Sequence, residues 1–131
     1  MSLRSPLGRV LGRGAAKSGV AHWWVQRVSA IALVPLTLWF LIELVSLPLA
    51  DHASVCAWIA GGWTPVALVL LIGTSSWHSA LGVQVVIEDY VHHAGLKLAS
   101  LLASSMLHVL VAVAGIYAVL RVAFTTPFTQ G

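Results

Sequence analysis

The sequence predicts an all-α integral membrane protein with three transmembrane helices, the amino terminus inside and the carboxyl terminus outside. Three observations carry that prediction. Of 131 residues, 59% are hydrophobic and 8% charged, a balance that suits a bilayer and leaves no separate water-soluble domain. Apolar runs at 28–49, 63–87 and 96–124 are each long enough to cross a hydrocarbon core of roughly 30 Å at about 1.5 Å per helical residue. Lys and Arg are one-sided: the amino-terminal segment and the turn after the second run hold six of the seven, the first connection none, and the carboxyl-terminal side only Arg121. That asymmetry orients the chain by the positive-inside rule.

Residues 1–27 read as a basic cytoplasmic segment with Arg4, Arg9, Arg13, Lys17 and Arg27 and no acidic residue. The net charge of +3 is thereby explained by attraction to anionic membrane lipid, with no nucleic acid partner. A mitochondrial transit peptide shares this makeup; an ordinary cytoplasmic tail is preferred. His22, Trp23, Trp24, Gln26 and Arg27 suit an anchor at the water interface. In the first span, residues 28–49, only Ser29, Thr37, Glu43 and Ser46 are polar. Pro35 should kink this helix and Pro48 suits its end. Glu43, within two turns of that end, reads as a carboxylate reaching the interface in preference to an ion pathway.

Residues 50–62 read as an external connection lying in the interface, broken at Gly61-Gly62. Its Cys56 is the single cysteine, which excludes an internal disulfide and leaves no thiolate cluster for an iron–sulfur centre on this chain. The second span, 63–87, carries Gly73, Thr74, Ser75 and Ser76, small and hydroxylated residues that let helices approach. A polar cytoplasmic turn is expected at 88–95, a third span at 96–124, and an external tail at 125–131. Ser104, His108, Ala112 and Gly115 recur at helical spacing and predict a packing face on the third span.

The stretch Trp77 to Tyr90, WHSALGVQVVIEDY, concentrates the chemistry. At about 100° per residue, Gly82, Val85 and Asp89 lie within about 40° of the direction of His78, on one stripe. The eleven positions from His78 to Asp89 place the imidazole roughly 16 Å below the carboxylate, deep enough to be dry. An imidazole there can be a haem axial ligand, a proton relay, or a polar residue satisfied by a neighbouring hydroxyl. Gly82, one turn away, favours haem because a porphyrin beside the ring needs a position without bulk. His108 lies at similar depth, so an intrachain pair of ligands stands beside the reading of His108 as a packing residue. Tyr90 is either an interfacial belt residue or a hydrogen-bond donor to a quinone carbonyl, with Asp89 orienting that site or passing protons. Glu88, about 100° round the helix, faces solvent on this pattern.

The pattern His78-x3-Gly82 followed by Asp89-Tyr90, preceded by Ser18-Gly19 and by Gln26-Arg27-Val28-Ser29-Ala30, resembles the smaller hydrophobic membrane anchor of succinate dehydrogenase. The resemblance covers about residues 18–121, and the run IEDYVHH at 87–93 looks most like the alphaproteobacterial and mitochondrial branch. It implies three transmembrane helices with an inside amino terminus, in a bacterial inner membrane or a mitochondrial inner membrane. It implies that His78 is one axial ligand of haem b, the second coming from a companion cytochrome b556-type anchor subunit. Tyr90 would bond the ubiquinone head with Asp89 beside it, and Arg27 would lie near the haem propionates and the quinone pocket. Gln84 is not carried over, and the family pattern has no histidine at the place of His108. A flavoprotein subunit would oxidise succinate and an iron–sulfur subunit would pass electrons inward, so neither FAD nor an iron–sulfur cluster is expected on this chain. Two other readings compete: the anchor of a quinol:fumarate reductase, running the chemistry in reverse, and a non-redox membrane scaffold subunit.

Overall fold

A computed structural model describes residues 16–48 and 51–126 of the chain. It contains four helices: α1 (Ala16–Ser46), α2 (His52–Ala60), α3 (Thr64–Tyr90) and α4 (Ala94–Thr125). Three of them, α1 from Gly19 onward, α3 and α4, are long and apolar enough to cross a membrane. The all-α membrane architecture expected from the sequence is the one observed. The basic run with Arg4, Arg9 and Arg13, the transit-peptide alternative and most of the external tail lie outside the described residues.

Each spanning helix runs past at least one end of its apolar run. α1 begins at Ala16, well ahead of residue 28, because the segment from Lys17 to Arg27 holds no proline, and its only glycine, Gly19, is tolerated in the helix. α3 continues through Glu88, Asp89 and Tyr90, all expected in the turn. Its last carbonyls find partners that let it go on: the Val91 N–H donates to Ile87 O at 3.0 Å, and the Lys97 ammonium donates to Glu88 O at 2.8 Å. A cation at a helix carboxyl end also suits the helix dipole. The turn is thus reduced to Val91–His93, and His93 caps α4 by accepting the Leu96 N–H on Nδ1 at 3.4 Å.

The connection between α1 and α3 is itself helical. Asp51 caps α2 by accepting the Ala53 N–H at 3.3 Å and the Ser54 N–H at 3.0 Å. The Ser54 hydroxyl, then the Ser54 N–H, hold the Asp51 carboxyl below the usual carboxylate range. α2 ends at Gly61-Gly62, where Gly62 takes φ +48°, a left-handed conformation that glycine adopts without cost. Here Trp39, Phe40, Trp58 and Trp63 form an aromatic cluster, with Trp39 and Trp63 ring centroids 4.7 Å apart. The Trp58 indole N–H donates to Glu43 Oε2 at 3.0 Å, so that carboxylate is bonded within an aromatic belt, as an interfacial residue would be.

α3 is the central helix. It packs against α1 on one side and α4 on the other, whereas α1 and α4 do not meet among the described residues. Buried apolar side chains number only three there, Ala67, Leu68 and Val119. Large residues such as Ile31, Val45, Met106 and Val109 are exposed, an arrangement that water would penalise and that lipid or a partner's helices satisfy. Helix association must therefore come from close approach and cross-helix hydrogen bonds. At Gly115 a Cβ would stand 3.3 Å from Ile72 Cγ2, so α3 and α4 touch there almost backbone to side chain. Gly115→Val should force the two apart and cost about 1–3 kcal/mol, the usual scale of overpacking. The check is the melting temperature in detergent; an unchanged value would show that the pair does not depend on this contact.

Candidate functional site

On α1, His22, Gln26 and Ser29 recur at i, i+4 and i+7, which puts them on one stripe of the helix. Gln26 and Ser29 both reach His78 of α3, bringing a polar strip into the α1–α3 interface. Ser29 is buried, at 8% exposure, and its Oγ lies 2.9 Å from His78 Nδ1. The same hydroxyl donates to Gln26 O at 3.0 Å. The Gln26 side-chain amide nitrogen lies 3.4 Å from His78 Nε2, a longer and weaker contact. Two further buried atoms of this strip, His22 Nε2 and Gln26 Oε1, have no hydrogen-bond partner. Unpaired buried polar atoms are rare enough to need a reason, and a polar-edged group lodged beside His78 would supply one.

His78 also opens onto a groove of about 410 Å³ lined by Ala30, Leu33, Val34, Thr37 and Leu38. The groove is largely apolar and open, and apart from His78 its walls come from α1. An imidazole at the edge of such a groove has one half of its surroundings supplied by this chain and the other half left to a neighbour. Among the described residues no three His, Cys, Asp or Glu side chains gather as a metal site, so a metal at His78 would need a ligand from elsewhere.

A Cβ at Gly82 would stand 3.8 Å from the Gln26 amide nitrogen, an ordinary van der Waals distance, so α1 lies beside this position without pressing on it.

His108 belongs to another network. Its Nδ1 donates to Ser104 O at 2.8 Å, and its Nε2 accepts from the Ser79 hydroxyl at 3.1 Å. Ser76 donates its hydroxyl proton to His108 O at 2.8 Å. Nδ1 is held within α4 itself, while Nε2 and the main-chain oxygen tie α4 to α3. His78 faces α1 instead, so the two histidines do not form an intrachain ligand pair, and His108 takes the packing role.

Asp89 and Tyr90 stand on the last turn of α3, both exposed, Tyr90 at 79%. Glu88 is exposed too and accepts from the Gln84 amide at 2.8 Å. Twelve residues separate His78 from Tyr90, roughly 18 Å along the helix at its ordinary rise. Arg27 sits two positions before Ser29 and so about 3 Å from the His78 level, toward the Tyr90 end. Its guanidinium lies 5.3 Å from the centre of the Trp23 ring, one turn further in that direction, a cation–π contact on a side chain reaching for the interface. The structure therefore brings His78, Gln26 and Ser29 together, sets Arg27 close to their level, and leaves Asp89-Tyr90 as a separate station on the same helix. Ser29 and Gln26 were passed over as functional residues in the sequence. Their signal was there, since Ser29 is the first polar residue of an apolar run and falls three positions after Gln26.

Comparison with known proteins agrees with this architecture. No solved structure is a significant match. Curated relatives are several: the succinate dehydrogenase hydrophobic membrane anchor subunit of Rickettsia bellii is 34% identical over 116 residues, 88% of this chain and 93% of its own. The succinate dehydrogenase membrane anchor subunit of Reclinomonas americana is 33% identical over 99 residues, 65% of this chain and 73% of its own. The hydrophobic membrane anchor subunit from Paracoccus denitrificans is 27% identical over 110 residues, 84% of each chain. The family model described as succinate dehydrogenase/fumarate reductase transmembrane subunit matches residues 1–120. With its three spans and with that match over most of its length, the chain belongs to the family of succinate dehydrogenase/fumarate reductase transmembrane subunits.

Proposed function

We propose that this chain is the membrane anchor of a succinate:ubiquinone oxidoreductase, supplying one axial ligand of haem b and part of the ubiquinone site. The observation that carries the reading is His78: its Nδ1 is anchored on Ser29 at 2.9 Å, and its ring borders an apolar groove open to a neighbour. The same helix ends in an exposed Asp89-Tyr90 step. Haem b, when bound, offers a one-electron site within the membrane. His78 would hold its iron from this chain, and a companion cytochrome subunit would supply the remaining protein ligand. The unpaired His22 Nε2, together with Arg27, would suit the polar edge of that group.

Tyr90 donates its phenolic hydrogen to a carbonyl of the ubiquinone head, and Asp89 beside it carries protons from the aqueous side. The isoprenoid tail stays among the apolar flanks of the bundle. This chain holds no succinate site. A flavoprotein subunit and an iron–sulfur subunit dock on the face that carries the α1 amino end and the Asp89-Tyr90 end of α3. That face is the inside of a bacterial inner membrane, consistent with the one-sided Lys and Arg; a mitochondrial inner membrane would present it to the matrix. A quinol:fumarate reductase anchor, running the chemistry in reverse, would use the same residues.

The test is purification in mild detergent through a tag on this chain. Co-purification of a flavoprotein, an iron–sulfur protein and a second cytochrome anchor is expected, with a low-spin haem b signal in the reduced-minus-oxidised spectrum. A colourless complex that still reduces ubiquinone with succinate would return the chain to a non-redox scaffold.

A further inference from the structure

The Ser29 hydroxyl has a single hydrogen, and Gln26 O, 3.0 Å away, can only accept it. With that hydrogen committed, Ser29 Oγ faces His78 Nδ1 at 2.9 Å as an acceptor, so the imidazole must carry its proton on Nδ1. Nε2 is then the nitrogen with the free lone pair. Its neighbour is consistent with this, because the Gln26 amide nitrogen at 3.4 Å is a donor. One chain of bonds thus runs from the His78 N–H through the Ser29 O–H to a backbone carbonyl of α1.

We propose that Ser29 is a positioning residue for His78, fixing which imidazole nitrogen meets the iron and strengthening it as an electron donor. The proposal rests on the reading of His78 as the haem ligand. A ligand imidazole that gives its other N–H to a good acceptor becomes more basic, and each bond in a hydrogen-bonded chain polarises the next, most of all where the dielectric is low. Ser29 is buried and its acceptor is a main-chain carbonyl, so the bond cannot swing away as an exposed one could. A more basic ligand stabilises ferric over ferrous iron and so lowers the reduction potential. The Gln26 amide, lying against Nε2, is the group that must move aside when iron takes that lone pair.

Ser29→Ala removes the acceptor and keeps the helix. In the purified complex it should retain a low-spin haem while the preference for ferric iron falls about tenfold, the lower end of what an outer-shell partner contributes. For a one-electron couple that is a rise in potential of about 59 mV, read by optical redox titration. Ser29→Thr, which keeps the hydroxyl, should leave the potential where it was. If the alanine variant loses its haem, Ser29→Cys decides, since sulfur is a poor acceptor in nearly the same space: a raised potential supports the role and an unchanged one overturns it. An unchanged potential in Ser29→Ala with haem intact overturns the positioning role alone. A low-spin haem that survives His78→Ala unaltered overturns the ligand reading beneath it.

Discussion

Replacing His78 with alanine is expected to abolish the six-coordinate, low-spin haem signal of the complex and to lower haem retention by well over tenfold. Loss of even an outer-shell partner of a metal ligand costs about 10–100-fold in affinity, and in the proposed function His78 is the ligand itself. The groove beside it is lined by aliphatic side chains and the Thr37 hydroxyl, none of which replaces an imidazole nitrogen. His108 cannot step in, because its ring is tied to Ser104 and Ser79 on the far side of α3. Absorbance of the reduced complex and low-temperature electron paramagnetic resonance would both register the change. The same substitution leaves Ser29 Oγ without its ring partner in a low-dielectric interface, so α1 and α3 should also separate more easily in detergent.

The second large effect is expected at the other end of α3. Tyr90→Phe removes one hydroxyl and no packing volume, and the side chain is 79% exposed in the isolated chain, so folding should be indifferent to it. A lost hydrogen bond to substrate is worth about 1 kcal/mol, which corresponds to roughly a fivefold fall in kcat/KM for ubiquinone. Succinate oxidation by a soluble artificial acceptor, which bypasses the membrane site, should stay at the wild-type rate. Equal loss of both activities would remove Tyr90 from the quinone site.

His78 and Tyr90 could be singled out before any coordinates because a membrane helix tolerates few polar groups, and those that persist stand out. His108 stood out for the same reason and proved to be a clamp between α3 and α4. Polarity at depth says that a residue needs a partner; it does not say which helix supplies it. The continuation of α3 through Tyr90 was illegible for another reason: the Lys97 ammonium that caps Glu88 O comes from the next helix. A helix end capped by a tertiary contact leaves no local signature.

What the amino-acid sequence by itself determined is the medium and the crossing number. Apolar runs above the length of a bilayer and a one-sided placement of Lys and Arg follow from transfer free energies, which are nearly independent of how the helices pack. Which polar atoms meet was decided only by the tertiary structure. With lipid as apolar as the side chains, burial gives helices little reason to choose one face over another. The choice falls to a few close approaches and hydrogen bonds, Ile72 on Gly115, Ser79 on His108 and Ser29 on His78. Those depend on the rotation of each helix about its axis, and a hydropathy pattern that is apolar on every side does not encode that angle.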